Sequence, residues 1–312
     1  MADPMPRRPE AMKATLTNDV FDDRDWIVER KFDGYRCLAF RDGRPVDLES
    51  RNYLSLNQRY PEIAAALEND PCRRFVVDGE IIGIVRGKSS FEALQQRGHD
   101  PGVRVAYYVF DVLWLDGDDL RDRPLRKRKT ALRRGLRFGN STVRWTPYRR
   151  AAQAQALLAD ACRRGWEGLI AKRLDSTYQG RRSQDWLKWK CAAEQEFVIG
   201  GYTAPRGSRQ EFGALLVGYY DGDKLRYAGK VGTGFDQREL RALAQRMAPL
   251  RRPDSPFDLG DPPTPGTTWV EPELVAQVAF TEWTRDGSLR HPRYLGLRDD
   301  KPAREVVRER PS

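Results

Sequence analysis

Apolar positions along this chain fall mostly into the alternating or continuous runs of β-strands, and charge interrupts the strongest of them. Trp26, Ile27 and Val28 lead into Lys31, and residues 35–40 alternate with period two. Residues 46–52 predict a strand running into a polar turn. Residues 75–85 form a continuous apolar strand broken by Asp78-Gly79-Glu80, and residues 103–115 form another that carries Asp111. Shorter strands are predicted over 143–148, 167–173 and 186–190. Helical spacing marks 61–69, with Ile63 and Leu67 on one face and Pro61 in the first turn, and also 91–96. It marks a basic segment over 124–136 and an amphipathic segment over 151–164 that Gly165 ends. Residues 1–24 are polar and rich in Asp and Pro, and predict a lead-in with little core.

The pattern changes after Cys191. Strands are predicted over 196–202, 214–220, 225–231 and 274–283, with a hairpin turn at Tyr220-Asp221-Gly222-Asp223 and one helix over 236–247. The Pro-rich stretch 251–266 reads as a loop. Several short strands and one helix suit a small barrel of the OB type. The predicted organisation is α+β, with one domain over 1–193 and a second over 194–312, and with no internal repeat.

The length of 312 residues agrees with two domains. No apolar run approaches the roughly 18 residues of a membrane-spanning helix, and no apolar core of a secretory signal is visible near the N-terminus. Cys37, Cys72, Cys162 and Cys191 are scattered, and with His99 and His291 as the two histidines no zinc site of ordinary spacing arises. Isolated cysteines predict a reducing, cytoplasmic setting. The formal charge of +10 favours a polyanionic partner; an arginine-rich composition or a solvated helix face explains the same number without one.

Acids or lysines interrupt five apolar strands: Lys31 and Asp33, then Glu80, Asp111, Glu167, and finally Lys188 with Lys190. Unpaired buried charge is costly, so these groups are expected to converge on one phosphate-rich, metal-bearing ligand. Carboxylates are hard oxygen ligands for Mg²⁺, and lysines neutralise phosphate. A lysine amine becomes nucleophilic when burial or a nearby cation lowers its pKa. The octapeptide around Lys31 also reads as a solvated surface hairpin. No Gly-x-x-x-x-Gly-Lys-Ser/Thr loop is present, which excludes a P-loop enzyme.

Seven motifs stand in a recognisable order: Lys31-Phe32-Asp33-Gly34-Tyr35-Arg36, Ser50-Arg51-Asn52, Asp78-Gly79-Glu80, Tyr108-Val109-Phe110-Asp111, Glu167-Gly168-Leu169-Ile170-Ala171-Lys172, Trp186-Leu187-Lys188-Trp189-Lys190 and Arg298-Asp299-Asp300-Lys301. Over nearly the whole chain, from about Met12 to Arg308, this resembles the ATP-dependent DNA ligases of the covalent nucleotidyltransferase superfamily, in particular the short bacterial repair type. The resemblance implies a nucleotidyltransferase domain of antiparallel sheets with flanking helices, ATP-grasp-like, followed by an OB-fold. It implies that Lys31 takes AMP from ATP, with Mg²⁺ or Mn²⁺ held by Glu80 and Glu167. Glu29 is expected to read the adenine amino group and Phe110 to stack on the ring. Arg36 and Arg51 are expected on ribose or phosphate, with Lys172, Arg182, Lys188 and Lys190 as further nucleotide contacts and Asp33 near the attacking 3′-hydroxyl. Arg298, Asp300 and Lys301 match the closing motif that orients pyrophosphate, which implies that the barrel swings over the nucleotide in the first step.

Three departures stand out. Arg30 replaces the usual Pro or small residue before the lysine, Tyr53 follows Asn52 where glycine is usual, and the large N-terminal DNA-binding domain of eukaryotic relatives is missing. The grip on nicked duplex DNA is then expected from the barrel, from residues 206–209 and from the basic helix over 121–137. No polymerase or nuclease module is recognised, so such partners, and end-binding proteins, are expected on separate chains, with this chain a monomer. An RNA ligase, a capping guanylyltransferase and a non-catalytic OB-type binder are the alternatives.

Overall fold

The computed structural model describes residues 3–96, 103–139, 141–191, 193–205, 211–284 and 286–309. The expected loop at 206–209 lies outside them. The chain divides into two compact units, the first running to Cys191 and the second covering Ala192–Glu309.

Two sheets build the first unit. One is five-stranded, in the order β1 (Lys13–Leu16), β10 (Arg182–Lys190), β9 (Gly168–Arg173), β2 (Asp23–Lys31) and β8 (Tyr148–Ala151). Only the β1–β10 pairing is parallel. The other carries β4 (Asp47–Ser50), β3 (Tyr35–Asp42), β5 (Arg74–Val85) and β6 (Arg104–Leu115), with β7 (Val143–Trp145) parallel to β6 and two-residue strands at the margins. Thus β2 and β3, which flank Lys31, are not a hairpin: the Asp33-Gly34 crossover carries the chain from one sheet to the other. Gly34 is required there, because a Cβ would lie 2.1 Å from the Ile81 carbonyl oxygen.

Helices α1 (Pro61–Glu68) and α3 (Leu125–Gly135) cover the second sheet, burying Ile63, Leu67, Leu132 and Leu136 against Cys37, Val77, Tyr107 and Val109. Helix α2 (Phe91–Gln96) packs Leu94 into the same core. Helix α4 (Ala154–Arg163) covers the first sheet through Ala154 and Ala161, against Val28, Leu169, Leu187 and Trp189.

Three expectations need correction. Residues 143–148 are not one strand; Pro147 cannot donate to a ladder, and the chain splits there into β7 and β8, which join different sheets. The lead-in contributes core, since Met12 is fully buried and 13–16 form β1. The cysteines are not all isolated: Cys162 at the end of α4 and Cys191 after β10 are joined as a disulfide, with Cα atoms 5.3 Å apart. Twenty-nine residues separate them along the chain, so spacing gave no hint of the pair.

In the second unit β11 (Ala193–Thr203) is central. Its first half pairs with β15 (Val275–Phe280) and its last residues with β14 (Thr267–Val270), while β12 (Leu215–Asp221) and β13 (Lys224–Val231) extend the other side. Strand β16 (Arg293–Leu297) completes the path against β15. Helix α5 (Gln237–Met247) begins with a capping box in which Asp236 and Glu239 satisfy each other's backbone N–H groups. It buries Leu240, Leu243 and Met247 in the core with Phe197, Val217 and Tyr294.

Candidate active site

Register decides which side chains share a face. Lys31 lies opposite Gly168 and Glu29 opposite Ile170, while Lys188 and Lys190 pair with Ile170 and Gly168 from the other side. Strand side chains alternate, so Glu29, Lys31, Lys172, Trp186, Lys188 and Lys190 occupy one face of the five-stranded sheet. Val28, Leu169, Leu187 and Trp189 occupy the other, against α4. On the second sheet Arg36 pairs with Glu80, and Glu80 with Tyr108. The two polar faces meet: the Arg36 guanidinium lies 4.5 Å from the Phe110 ring and 5.8 Å from Trp186, and the Lys172 amine lies 4.2 and 3.9 Å from the same two rings. Gly168 permits the close approach at the centre, since a Cβ would lie 2.0 Å from the Trp189 carbonyl oxygen.

Lys31 Nζ donates to Glu167 Oε1. Burial alone draws the Lys31 amine down, but Glu167, with Asp33 and Glu80 behind it, more than offsets that and the net shift is upward. The expected lowering is therefore not what this pairing produces; the carboxylate holds the ammonium form. Glu167 Oε2 is buried with no hydrogen-bond partner among the described residues. That orphaned oxygen, beside the lysine, is the kind of donor a hard divalent cation uses. Mg²⁺ ordinarily takes one or two carboxylates and completes its shell with water and phosphate. No cluster of three or more His, Cys, Asp or Glu suited to a metal occurs among the described residues. The donor set therefore fits Mg²⁺ as a companion of phosphate and not as an all-protein site.

Glu29 is 2% exposed and held by two lysines. Lys129 of α3 donates to Oε1 and to the Phe110 carbonyl oxygen, and Lys172 Nζ lies 2.7 Å from Oε2. Burial, opposed by Glu29 and reinforced by Lys129, pushes Lys172 down to about 8. Arg36 forms a two-pronged pair with Asp78, which also accepts from the Tyr178 hydroxyl at 2.7 Å. Asp78 thereby fixes the guanidinium over Phe110.

Sequence reasoning missed Lys129, Asp78 and Tyr178. It also placed Asp111 among the ligand-seeking acids, whereas Asp111 makes a two-pronged pair with Arg128 of α3, both fully buried and 2.9 Å apart. The signal was present: Leu125, Arg128, Lys129, Leu132 and Leu136 follow helical spacing and fall on one face. The basic helix is thus partly a source of buried cations, with Arg126, Lys127, Arg133 and Arg134 left outside.

The other expected residues have partners of their own. Arg182 is exposed and donates to the Ala14 carbonyl oxygen at 2.5 Å. Arg51 lies in the turn after β4, where Tyr53 adopts the left-handed conformation, φ +60°, that glycine fills without strain. Arg30 points away from Glu29 and Lys31, over Trp166 and Phe32. In the second unit Arg298 and Asp300 pair at 2.9 and 3.0 Å, and Lys301 pairs with Glu196 at 2.9 Å.

Lys31, half-buried beside the orphaned Glu167 oxygen, thus shares a sheet face with Lys172, Lys188 and Lys190. Residues 8–190 match the ATP dependent DNA ligase domain, and residues 208–301 match the ATP dependent DNA ligase C terminal region. The chain belongs to the ATP-dependent DNA ligase family. This sets it with the DNA ligases and not with capping guanylyltransferases or RNA ligases, and it accounts for the nucleotidyltransferase unit followed by an OB-fold unit. The chain is 40% identical over 295 residues to the multifunctional non-homologous end joining protein LigD of Pseudomonas aeruginosa, covering 92% of this chain and 35% of that protein. It is 40% identical over 289 residues to the LigD end joining DNA repair protein of Mycobacterium tuberculosis, covering 91% of this chain and 37% of that one. It therefore spans little more than a third of the length of these relatives. A solved mycobacterial DNA ligase D complexed with ATP and MES superposes with a TM-score of 0.65 at 36% identity, over 95% of this chain and 98% of that one. Among the described residues no helix is long and apolar enough to cross a membrane.

Proposed function

We propose that this chain seals 5′-phosphate/3′-hydroxyl nicks in duplex DNA through a covalent AMP on Lys31, as the ligase part of a cytoplasmic end-joining repair system. The observation that carries the reading is Lys31 Nζ against Glu167, beside a carboxylate oxygen that has no other partner. In the first step Lys31 Nζ, having lost its proton, forms a bond to the α-phosphorus of ATP as the bond to the bridging oxygen breaks and pyrophosphate leaves. In the second the 5′-phosphate of the nick takes the AMP and frees the lysine. In the third the 3′-hydroxyl attacks that phosphate and AMP departs, with Asp33 near the hydroxyl.

Glu29, held in place by Lys129 and Lys172, is positioned to accept from the adenine amino group, and Phe110 to stack on the ring. Arg36, aimed by Asp78, serves ribose or phosphate together with Arg51, and Lys188, Lys190 and Arg182 offset phosphate charge. Glu167 and Glu80 would hold Mg²⁺, which would neutralise charge on the phosphates during transfer. Arg298, Asp300 and Lys301 are assigned to the leaving pyrophosphate. Polymerase and end-binding partners are assigned to other polypeptides or other segments, and the chain is taken as a monomer.

Mass spectrometry after incubation with ATP or GTP and Mg²⁺ tests the reading. An AMP-sized gain on Lys31 from ATP, reversed by pyrophosphate and absent in Lys31→Ala, is expected. Labelling by GTP alone, or at another residue, would overturn it. Lys301→Ala should slow self-adenylylation far more than the sealing of pre-adenylated DNA; equal losses would remove its leaving-group role.

A further inference from the structure

Beside the nucleotide cleft lies a second cavity, of about 340 Å³, in the size range of small-ligand sites. Its walls include Arg30, Phe32, Tyr108, Tyr148, Arg164 and Trp166. Glu29 of the nucleotide cleft borders it, and so does Tyr108, the strand neighbour of Glu80. Arg30 and Phe32 flank Lys31 in sequence but sit on the opposite side of the strand.

The cavity wall is layered. The Phe32 and Tyr108 rings are 4.4 Å apart, the Arg30 guanidinium lies 5.1 Å from Phe32 and 4.8 Å from Trp166, and the Arg164 guanidinium lies 5.7 Å from the Trp166 ring. Arg144 donates to the Tyr108 hydroxyl at 3.0 Å. Tyr148 is 42% exposed at the rim. Arg30 donates to Ser89 through one terminal nitrogen, but its Nε is buried with no hydrogen-bond partner. A buried guanidinium N–H without an acceptor is costly. Arg164 Nε is paired with Asp160 Oδ2 at 2.8 Å and Glu29 is already neutralised by Lys129 and Lys172, so Arg30 and Arg149 are the charges left unmatched in the cavity wall. Alternating rings and guanidinium planes, with surplus positive charge, are the chemistry that takes unpaired bases and their phosphates regardless of sequence.

We propose that this cavity binds single-stranded DNA, seating one unpaired nucleotide, its base among Phe32, Tyr148 and Trp166 and its phosphate on Arg30, Arg149 and Arg164. The occupant would be the unpaired strand of an imperfect end, held next to the strand that carries Lys31. The identification of that strand as DNA rests on the ligase reading.

The test is fluorescence anisotropy of a labelled oligothymidylate with the full chain, alongside its self-adenylylation. Tyr148→Ala is expected to weaken oligothymidylate binding about ten-fold, the worth of one lost base stack. Arg164→Glu is expected to reduce the slope of log affinity against log salt by about one or more. Arg164→Glu should label with AMP as the wild type does. Thymidine monophosphate alone should compete weakly, since a strand adds neighbouring phosphates. Wild-type affinity and salt slope in both variants would overturn the proposal. So would displacement of the oligonucleotide by ATP at the concentrations that label Lys31, because the cavity would then belong to the nucleotide cleft. Failure of wild-type protein to seal a nick would instead remove the ligase reading and leave the oligonucleotide result standing.

Discussion

The Asp111–Arg128 pair separates a structural acid from a ligand-binding one. Both side chains are fully buried, and Arg128 also donates to the carbonyl oxygens of Arg123 and Ser176 at 2.6 and 2.8 Å. Removing one member leaves the other charge stranded, at a cost of about 3–5 kcal/mol. Replacing both with apolar residues of similar volume removes the two desolvation costs together and is often near neutral. Arg128→Met should therefore lower the urea midpoint of the first unit by roughly 1–2 M, taking a slope of about 2–3 kcal/mol per M. Asp111→Leu/Arg128→Met should recover part of that shift, because the double change removes both charges but also the Arg128 bonds to the Arg123 and Ser176 carbonyl oxygens. Tryptophan fluorescence reports the transition, since Trp114 and Trp186 are buried in the same unit. Burial raises the Asp111 carboxyl pKa, but Arg128 lowers it more, so the folded value lies below the ordinary one. The stabilisation is thus complete above the unfolded value of about 3.9 and is lost as pH falls through the lower folded value. The double variant should lack that acid loss. Self-adenylylation of the folded double variant should stay within about ten-fold of wild type. A cost below about 1 kcal/mol for Arg128→Met would refute the pairing argument, and a folded double variant that cannot take up AMP would return Asp111 to the site.

Three further outcomes are expected. Lys172 sits at about 8 when folded, against about 10.4 unfolded, so the folded chain binds fewer protons between those values and stability rises with pH there. Lys172→Met should flatten that rise by about 1.4 kcal/mol per pH unit, and an unchanged slope would show that the amine is solvated. Reduction of Cys162–Cys191 should cost the first unit about 3–4 kcal/mol by chain entropy over its 29-residue loop; an identical melting temperature with and without phosphine reductant would mean that the thiols are unbonded in solution. Tyr53→Gly should stabilise the turn after β4 by about 1 kcal/mol, because φ is +60° there; a lower stability of the variant would show that the Arg8–Tyr53 contact outweighs the backbone strain. Equilibrium unfolding of this variant decides.

Much of the site was legible because its motifs are local. Lys31, Glu80 and the Lys188/Lys190 pair read as charges set in strands where a plain core has no use for them, whereas Glu29 and Phe110 were expected only from the family resemblance. What was not legible were partners supplied from elsewhere. Lys129 and Arg128 are adjacent cations in a helix that reads as a solvated basic face, and only the position of Leu125, Leu132 and Leu136 says that this face is buried. Tyr178 reaches Asp78 across 100 positions, and Cys162 reaches Cys191 across 29.

The sequence by itself determined most of the strands and helices and nominated candidate side chains, because periodicity and residue type are properties of short segments. The tertiary structure decided which sheet each strand joins, through the crossover at Gly34 and the break at Pro147. It decided which charges are spent on one another and which are left for a ligand: Asp111 is consumed by Arg128, while one oxygen of Glu167 is left over. Pairing depends on distances between segments far apart in the chain, and the cost of an unmet buried charge then selects the arrangement.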